Sequence, residues 1–155
     1  MQEMILADNA AATLELIASL RRAFRTFATK SNDMNVDLGV NAAMRAVLEL
    51  IETRGPMTVP DIARTKQVSR QHIQVNVDGL AAIGLVEARS NPAHKRSALI
   101  ALTPSGSHIF QEIRRRELAE AHRIAANTSQ ADIRHAKAII DQLASKARDD
   151  EAKAS

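Results

Sequence analysis

The chain has 155 residues, 45% of them hydrophobic, which suffices for one domain with a core of its own. It contains no cysteine, which excludes disulfide bonds and thiol-based redox sensing, and it has no apolar run long enough to span a bilayer. No basic segment leads into an apolar stretch at the start, so we expect no secretory signal and a cytoplasmic protein. The net charge of +3 argues only weakly for a nucleic-acid partner.

A long helix is predicted over residues 4–30, where apolar side chains recur on one stripe from Leu6 to Ala28. A helix with such a stripe needs a second apolar surface, and residues 104–147 carry a matching stripe on two further predicted helices. We therefore expect residues 4–30 and 104–147 to be dimerisation helices that pack together and against a second copy. A bundle within one chain is the alternative.

A polar linker over residues 31–39 and a helix over residues 40–53 are predicted next. Thr58 then fits the N-cap of a short helix, because its hydroxyl can accept a hydrogen bond from a free backbone N–H group. Val68 is expected to plug the turn after this helix, and Ser69 fits the N-cap of the following one. Two short helices joined by a tight turn are typical of a helix-turn-helix.

The helix that begins after Ser69 has two distinct sides at 3.6 residues per turn. Ile73, Val77 and Leu80 fall in one arc, which predicts the buried face. Glutamine can pair with adenine through two hydrogen bonds and an exposed valine can pack on the thymine methyl, so the other side suits the major groove of DNA. A solvated face with one stray valine is the alternative. The outward residues are Gln71, Gln74, Val75 and Asp78, with His72 on the flank.

A β-hairpin is predicted after Gly84, which fits the residue that ends the preceding helix. Residues 85–89 and 97–102 have strand-like patterns. The tip between them, residues 91–96, begins with Asn-Pro, which marks a turn, and ends with Lys-Arg, which makes it basic. A long helix over residues 104–126 follows the second strand.

Basic residues outnumber acidic ones in the segment from Arg54 to Leu102. The excess in this segment is larger than the net charge of the whole chain, so a polyanion is expected to bind here. His72 and His94 would add positive charge at lower pH. The segment contains seven basic residues (Arg54, Arg64, Lys66, Arg70, Arg89, Lys95 and Arg96) and three acidic residues (Asp61, Asp78 and Glu87).

Three runs around the predicted hairpin resemble the wing of the MarR family of bacterial transcriptional regulators. The resemblance implies a mainly α fold with a small β-hairpin wing, in a single domain over residues 1–155. A winged helix-turn-helix lobe over residues 40–103 would be flanked by N- and C-terminal dimerisation helices. The family has an acidic residue two positions before the wing arginine, where this chain has His94, so we expect a looser tip. The three runs are Gly84-Leu85-Val86, Asn91-Pro92-x-x-Lys95-Arg96 and Leu102-Thr103-x-x-Gly106.

The resemblance also implies a function, that of a sequence-specific DNA-binding transcriptional regulator. Such a protein would be a ligand-responsive repressor that binds a palindromic operator as a homodimer. In the family the recognition helix enters the major groove and the wing arginine reaches the minor groove. A winged-helix module that binds a protein partner is the alternative, and salt-insensitive association would favour it. The residues expected to contact double-stranded DNA are Ser69, Arg70, Gln71, His72, Gln74, Val75, Lys95 and Arg96.

Members of the family often bind a small organic effector, frequently a phenolic one, in a crevice between the dimer lobe and the winged lobe. Because the chain has no cysteine, we expect a ligand rather than thiol oxidation to release the DNA. The same candidate side chains are equally well explained as core. The candidates for the effector site are Phe24, Phe27, Met44, Leu48 and Phe110.

The sequence has no glycine-rich phosphate loop, nucleophile elbow or paired-histidine metal helix, so we expect neither an enzyme nor a bound metal or cofactor. His108 and Glu112 form the one ligand-like pair four residues apart, and surface histidines are the favoured interpretation. An arginine run at residues 114–116 is a candidate second anion site. Its side chains point in different directions on a helix, which favours a solvated role or one between lobes.

Overall fold

The computed structural model describes residues 2–94 and 96–153, with side chains over residues 8–94 and 96–148. This part of the chain is mostly helical with one antiparallel hairpin, as expected, and none of its helices is long and apolar enough to cross a membrane. A 3₁₀ turn, Val36–Leu38, follows the first helix. The chain divides into two compact units between Arg116 and Glu117. The elements are α1 (Gln2–Asn35), α2 (Ala42–Arg54), α3 (Val59–Lys66), α4 (Arg70–Ala82), β1 (Val86–Arg89), β2 (Leu99–Leu102), α5 (Pro104–Ile124) and α6 (Gln130–Lys153).

The first helix is longer than predicted, and the polar linker expected over residues 31–39 is wrong for most of its length. α1 continues to Asn35, whose side chain is fully buried and donates a hydrogen bond from Nδ2 to the carbonyl oxygen of Ser31 at 2.9 Å. The 3₁₀ turn then ends at Gly39, whose φ of 67° suits glycine. Asn41 caps α2, because its Oδ1 atom accepts the backbone N–H of Met44 at 2.9 Å. The helix thus continues through serine and asparagine residues of weak helix propensity, and Asn35 is the one buried residue among residues 31–35.

The winged lobe has one core, to which α2, α3, α4, the hairpin and the start of α5 all contribute. Leu48, Ile62, Leu80 and Ile113 are 0% exposed. Burial of a side chain of this size contributes about 1.5–3 kcal/mol relative to leaving it in water. The lobe therefore forms a core of its own within a single chain.

The hairpin is antiparallel, with Val86 opposite Leu102. The segment between α2 and α3 joins it, because Met57 and Ile100 exchange backbone hydrogen bonds of 3.1 and 2.8 Å. The base of the wing is therefore tied to the helices as well as to its own partner strand.

The Thr103-x-x-Gly106 run fixes the start of α5 against the end of α4. The Thr103 hydroxyl donates to the carbonyl oxygen of Gly84 at 2.7 Å and accepts the N–H of Gly106 at 3.0 Å. A Cβ atom at Gly106 would lie 1.9 Å from the carbonyl oxygen of Leu85, so no side chain fits there. Gly84 follows α4 with a φ of 73°, as expected for the residue that ends a helix. These contacts set the direction in which the wing leaves α4.

The second unit contains the end of α5 and α6. Ser129 caps α6, because its Oγ atom accepts the N–H of Asp132 at 3.1 Å and donates to Oδ2 of that residue at 2.7 Å. Leu118, Ile124 and Ile133 of this unit are 59%, 50% and 46% exposed. Within one chain the unit leaves much apolar surface in water.

Candidate nucleic-acid interface

A tight turn between α3 and α4 sets the direction of α4. Thr58 caps α3, because its hydroxyl oxygen accepts the backbone N–H of Asp61 at 3.3 Å. Ser69 caps α4 in the same way, by accepting the N–H of His72 at 3.1 Å. α3 ends in the left-handed residue Gln67, with a φ of 55°. The N–H groups of Gln67 and Val68 donate to carbonyls in the last turn of α3 at 3.3 and 3.1 Å, which is the Schellman arrangement. Val68 is 42% exposed, so the expectation that it plugs the turn is wrong, and backbone hydrogen bonds close the turn instead.

The two sides of α4 differ as their spacing predicted. Ile73, Val77 and Leu80 are buried in the core. Val75 points the other way and is 65% exposed. The exposed residues on this outward face and at the start of the helix are Arg70, Gln71, His72, Gln74, Val75 and Asp78, next to the exposed cap Ser69. The residues expected to face DNA from the helix therefore share one accessible surface.

α4 is seated closely on the rest of the lobe. A Cβ atom at Gly79 would lie 2.3 Å from Cε, the far end of the Met44 side chain, so α4 lies close to α2 at this point. Asn76 is only 6% exposed, and its Nδ2 atom donates to the carbonyl oxygen of His72 at 2.7 Å. The periodicity of apolar residues alone did not identify this buried asparagine. The inner face of α4 is therefore packed against the lobe, while its outward face stays accessible.

Gln74 and Asp78 form a hydrogen bond on the outward face. The Nε2 atom of Gln74 donates to Oδ1 of Asp78 at 2.7 Å, and both side chains are exposed. Asp78 is the single acidic residue in α4, and it was not among the residues expected to contact DNA. The signal that could have identified the pair is the spacing of four residues, which places two side chains next to each other on a helix.

Asn91 organises the loop of the wing. Its side chain is 9% exposed, and its Nδ2 atom donates to the carbonyl oxygen of Ser97 at 2.9 Å. Its Oδ1 atom accepts the backbone N–H groups of Ala93 and His94 at 3.1 and 3.3 Å. One buried amide therefore joins both ends of the loop, a role that asparagine at the start of a turn commonly takes.

The wing tip carries the two basic residues expected to approach DNA. Arg96 is exposed at the tip, one residue before the Ser97 carbonyl that Asn91 holds. His94, which stands where the family has an acid, is also exposed. Lys95 lies outside the described residues. Asn91 binds the backbone of this loop and not the side chain of Arg96, so the looseness expected for lack of the carboxylate stays a prediction.

Comparisons with known proteins agree with this geometry. The model of the MarR family matches residues 38–97, which include α2, α3, α4 and most of the wing. An uncharacterised protein of Mycobacterium tuberculosis is 32% identical over 120 residues, which are 77% of this chain and 78% of that relative. The crystal structure of a MarR family transcription regulator aligns over 96% of this chain and 98% of its own, with a TM-score of 0.82 and 25% identity. This chain belongs to the MarR family.

Membership makes the protein a DNA-binding transcription regulator by family and fold, and regulators of the MarR family are in general not enzymes. A further MarR structure, from Staphylococcus aureus, contains salicylate and kanamycin. It has a TM-score of 0.72 at 16% identity, over 84% of this chain and 89% of its own, so it shows the shared MarR fold alone.

The five candidates for an effector site have different environments. Phe24 and Phe27 lie on α1 and are 74% and 57% exposed. Leu48 and Phe110 are buried in the core of the winged lobe, and Met44 packs against that core. An open groove on α1 is lined by Arg25, Thr26, Thr29, Lys30 and Asp33 and includes none of the five. Of the five candidates, Phe24 and Phe27 are therefore the two that a ligand could reach directly in a single copy of this protein.

Two arginines of the run at residues 114–116, Arg115 and Arg116, form ion pairs within the first unit. Arg116 donates to the carbonyl oxygen of Met34 at 2.5 Å, to both carboxylate oxygens of Asp37 at 2.7 and 2.8 Å, and to Glu112 at 2.8 Å. It therefore binds the end of α1 and the 3₁₀ turn to α5. Hydrogen bonds from Arg115 and Arg116 lower the pKa of Glu112 to about 2. The hydrogen bond from Arg116 also lowers the pKa of Asp37.

These ion pairs bear on the metal question as well. Glu112, which is four residues from His108, accepts hydrogen bonds from two arginines. Over the described part of the chain, no three His, Asp or Glu side chains are grouped so that they could hold a metal ion.

Proposed function

We propose that this MarR protein is a cytoplasmic repressor that binds a palindromic operator as a homodimer and releases it when a small organic effector binds. The outward face of α4, where Gln71, Gln74 and Val75 are exposed together, carries the proposal. Amides that can pair with adenine and an apolar side chain that can pack on a thymine methyl are suited to reading sequence in the major groove.

The remaining contacts divide into positioning and shape recognition. Ser69 and Arg70 stand at the N-terminus of α4, where free N–H groups and positive charge favour a phosphate. Arg96 is exposed at the wing tip and can enter a narrow minor groove, where A·T-rich DNA strengthens the negative potential. We expect Arg96 to prefer a groove shape more than a sequence.

Homodimerisation is supported by the apolar residues that α1 leaves in water. Leu14, Phe24 and Phe27 are 68%, 74% and 57% exposed, and large exposed apolar surface commonly marks a site of protein–protein contact. A twofold symmetric dimer would direct two α4 helices to half-sites about one helical turn, roughly 10 bp, apart. This spacing is the reason to expect a palindromic operator.

Two observations support effector binding, one made on this chain and one on another member of the family. Phe24 and Phe27 offer accessible aromatic surface, and the structure of a Staphylococcus aureus protein of the same family is a complex with salicylate and kanamycin. In a dimer these two side chains would become part of an enclosed surface, and aromatic walls suit a phenolic ligand. Salicylate added to the protein–operator complex is expected to release the DNA, and unchanged binding at millimolar salicylate would contradict the effector part of the proposal for this ligand.

Fluorescence anisotropy with a palindromic and a scrambled duplex over a salt series tests the proposal as a whole. The wild-type protein should prefer the palindrome, and its affinity should fall steeply with salt because phosphate contacts release counterions. Gln74→Ala should bind the palindrome about tenfold more weakly and discriminate less at one position. Equal, salt-insensitive binding of wild type, Gln74→Ala and Arg96→Ala to both duplexes would favour a protein-interaction module instead.

A further inference from the structure

The hydrogen bond between Gln74 and Asp78 constrains how α4 can read a base. The Gln74 amide donates from Nε2 to Oδ1 of Asp78 at 2.7 Å, and both residues lie on the face that carries the exposed Val75. An ionised carboxylate accepts hydrogen bonds and donates none. Asp78 therefore determines in which direction the amide nitrogen of Gln74 points, and it limits rotation of the Gln74 side chain.

The geometry of an amide makes this constraint compatible with adenine. In the two-bond pairing, the amide oxygen accepts from the adenine N6 amino group while one N–H donates to N7. Both of these groups lie on the same edge of the amide. The second N–H points away from that edge, so it can stay bonded to Asp78 while the first N–H and the oxygen bind the base.

The same constraint disfavours guanine. Guanine presents two acceptors in the major groove, N7 and O6. The Gln74 amide could bind both of them only by donating both of its N–H groups. With one N–H of Gln74 held by Asp78, the amide oxygen would face O6, and two acceptors repel each other. We propose that Asp78 is a positioning residue that orients the Gln74 amide for adenine and so selects adenine over guanine at the base pair facing Gln74. The inference rests on the proposed DNA-binding function of α4.

The charge of Asp78 gives this role a distinctive signature. A carboxylate on a surface that meets a polyanion repels phosphates and lowers affinity for all sequences alike. Removing Asp78 should therefore raise affinity for scrambled DNA while weakening the choice between adenine and guanine. A mutation that merely damaged α4 would lower both quantities. The opposite directions separate a positioning role from a defect in folding.

The test is selection of duplexes from a randomised pool, followed by anisotropy with the four single-base variants at the position that Gln74 governs. That position is identified as the one where Gln74→Ala loses its preference. Wild type should prefer adenine over guanine by about tenfold, and Asp78→Ala by about twofold or less. Asp78→Asn keeps an acceptor oxygen and should retain an intermediate preference. In a Gln74→Ala background, removing Asp78 should change the base preference no further.

Glu52→Gln is the matched control, because Glu52 is an exposed acid on α2, outside α4, the wing and the proposed dimerisation helices. It removes one negative charge and should leave both the preference and the affinity for scrambled DNA unchanged. If wild type selects no sequence at all, the proposed function fails. If it selects an operator and Asp78→Ala keeps the full preference for adenine, the inference alone fails. A preference for cytosine that depends on Asp78 and not on Gln74 would mean that the carboxylate reads the cytosine amino group directly, which also overturns it.

Discussion

The winged lobe and α1 use apolar residues in opposite ways. In the lobe, Leu80 and Ile113 are 0% exposed, because four helices and the hairpin contribute to a single core. On α1, Leu14 and Phe24 are 68% and 74% exposed. Both regions have comparable apolar side chains at helical spacing, so the sequence pattern alone does not tell a helix that is covered by its own chain from one that is not.

The contrast indicates where each part of the protein obtains its stability. A core mutation in the lobe should lower the stability of every chain, whether or not it has a partner. A polar mutation on the exposed stripe of α1 should instead change assembly, and DNA binding through assembly. The four predictions that follow test whether this separation holds.

The largest effect is expected from charges on the exposed stripe of α1. Leu14→Glu combined with Phe24→Glu should give monomers at micromolar concentration, because burying two carboxylates in an apolar interface is unfavourable. Operator affinity should fall by about 10²- to 10⁴-fold, since a monomer loses the gain from engaging two half-sites at once. Light scattering and anisotropy measure the two results.

Ser19→Glu is the control for this pair, because residue 19 is exposed on the same helix about 140° from Leu14. It should remain dimeric and bind the operator normally. A monomeric wild-type protein, or a dimeric double variant, would show that the exposed stripe has another purpose.

A core and a surface substitution within α4 should have separable effects. Leu80→Ala should cost about 2–5 kcal/mol of stability, because it leaves a cavity in a fully buried position. Val75→Ala, at a position that is 65% exposed, should change stability by no more than about 0.5 kcal/mol but weaken operator binding. Chemical denaturation at one fixed protein concentration compares them. A large stability loss in Val75→Ala would mean that this valine packs in the dimer rather than facing DNA.

Substitutions in the wing should weaken DNA binding less, and a double variant tests whether two of them act through the same contact. Arg96→Ala should weaken operator binding by about tenfold and reduce the salt dependence, because one phosphate-region contact is lost. Asn91→Ala should give part of the same loss, since Asn91 joins the two ends of the loop that carries Arg96. The double variant should bind no more weakly than Arg96→Ala alone.

Ser90→Ala, at an exposed position beside the loop, should bind like wild type. Additive losses in Asn91→Ala and Arg96→Ala would show that Asn91 does not act through Arg96.

The caps Thr58 and Ser69 were predictable, because each follows from a side chain that acts on its own local backbone. The face of α4 was predictable for the same reason, since periodicity is local. The end of α1 was not, because the contacts of Arg116 with Met34 and Asp37 join residues that are distant in sequence. The roles of Asn91 and Asp78 lay between these cases. Turn chemistry contains the signal for Asn91 and the spacing of four residues contains the signal for Asp78. A search for apolar stripes and basic residues misses both, because neither residue is apolar or basic.

The smallest predicted effect concerns Arg116, which connects the exposed α1 helix to α5 of the lobe. Because the folded-state pKa of Glu112 is lowered from 4.5 to about 2, the carboxylate stabilises the fold above its unfolded-state pKa, and this contribution is lost as pH falls from 4.5 towards 2. The lowered pKa of Asp37 acts in the same direction. Arg116→Gln should therefore melt below wild type at pH 7, and the difference should shrink at pH 4 and again at pH 3. Arg115→Gln, which removes a partner of Glu112 but none of Asp37 or Met34, should lower the melting temperature less. A deficit in Arg116→Gln that stays constant from pH 7 to pH 3 would mean that the residue contributes by packing rather than by its ion pairs.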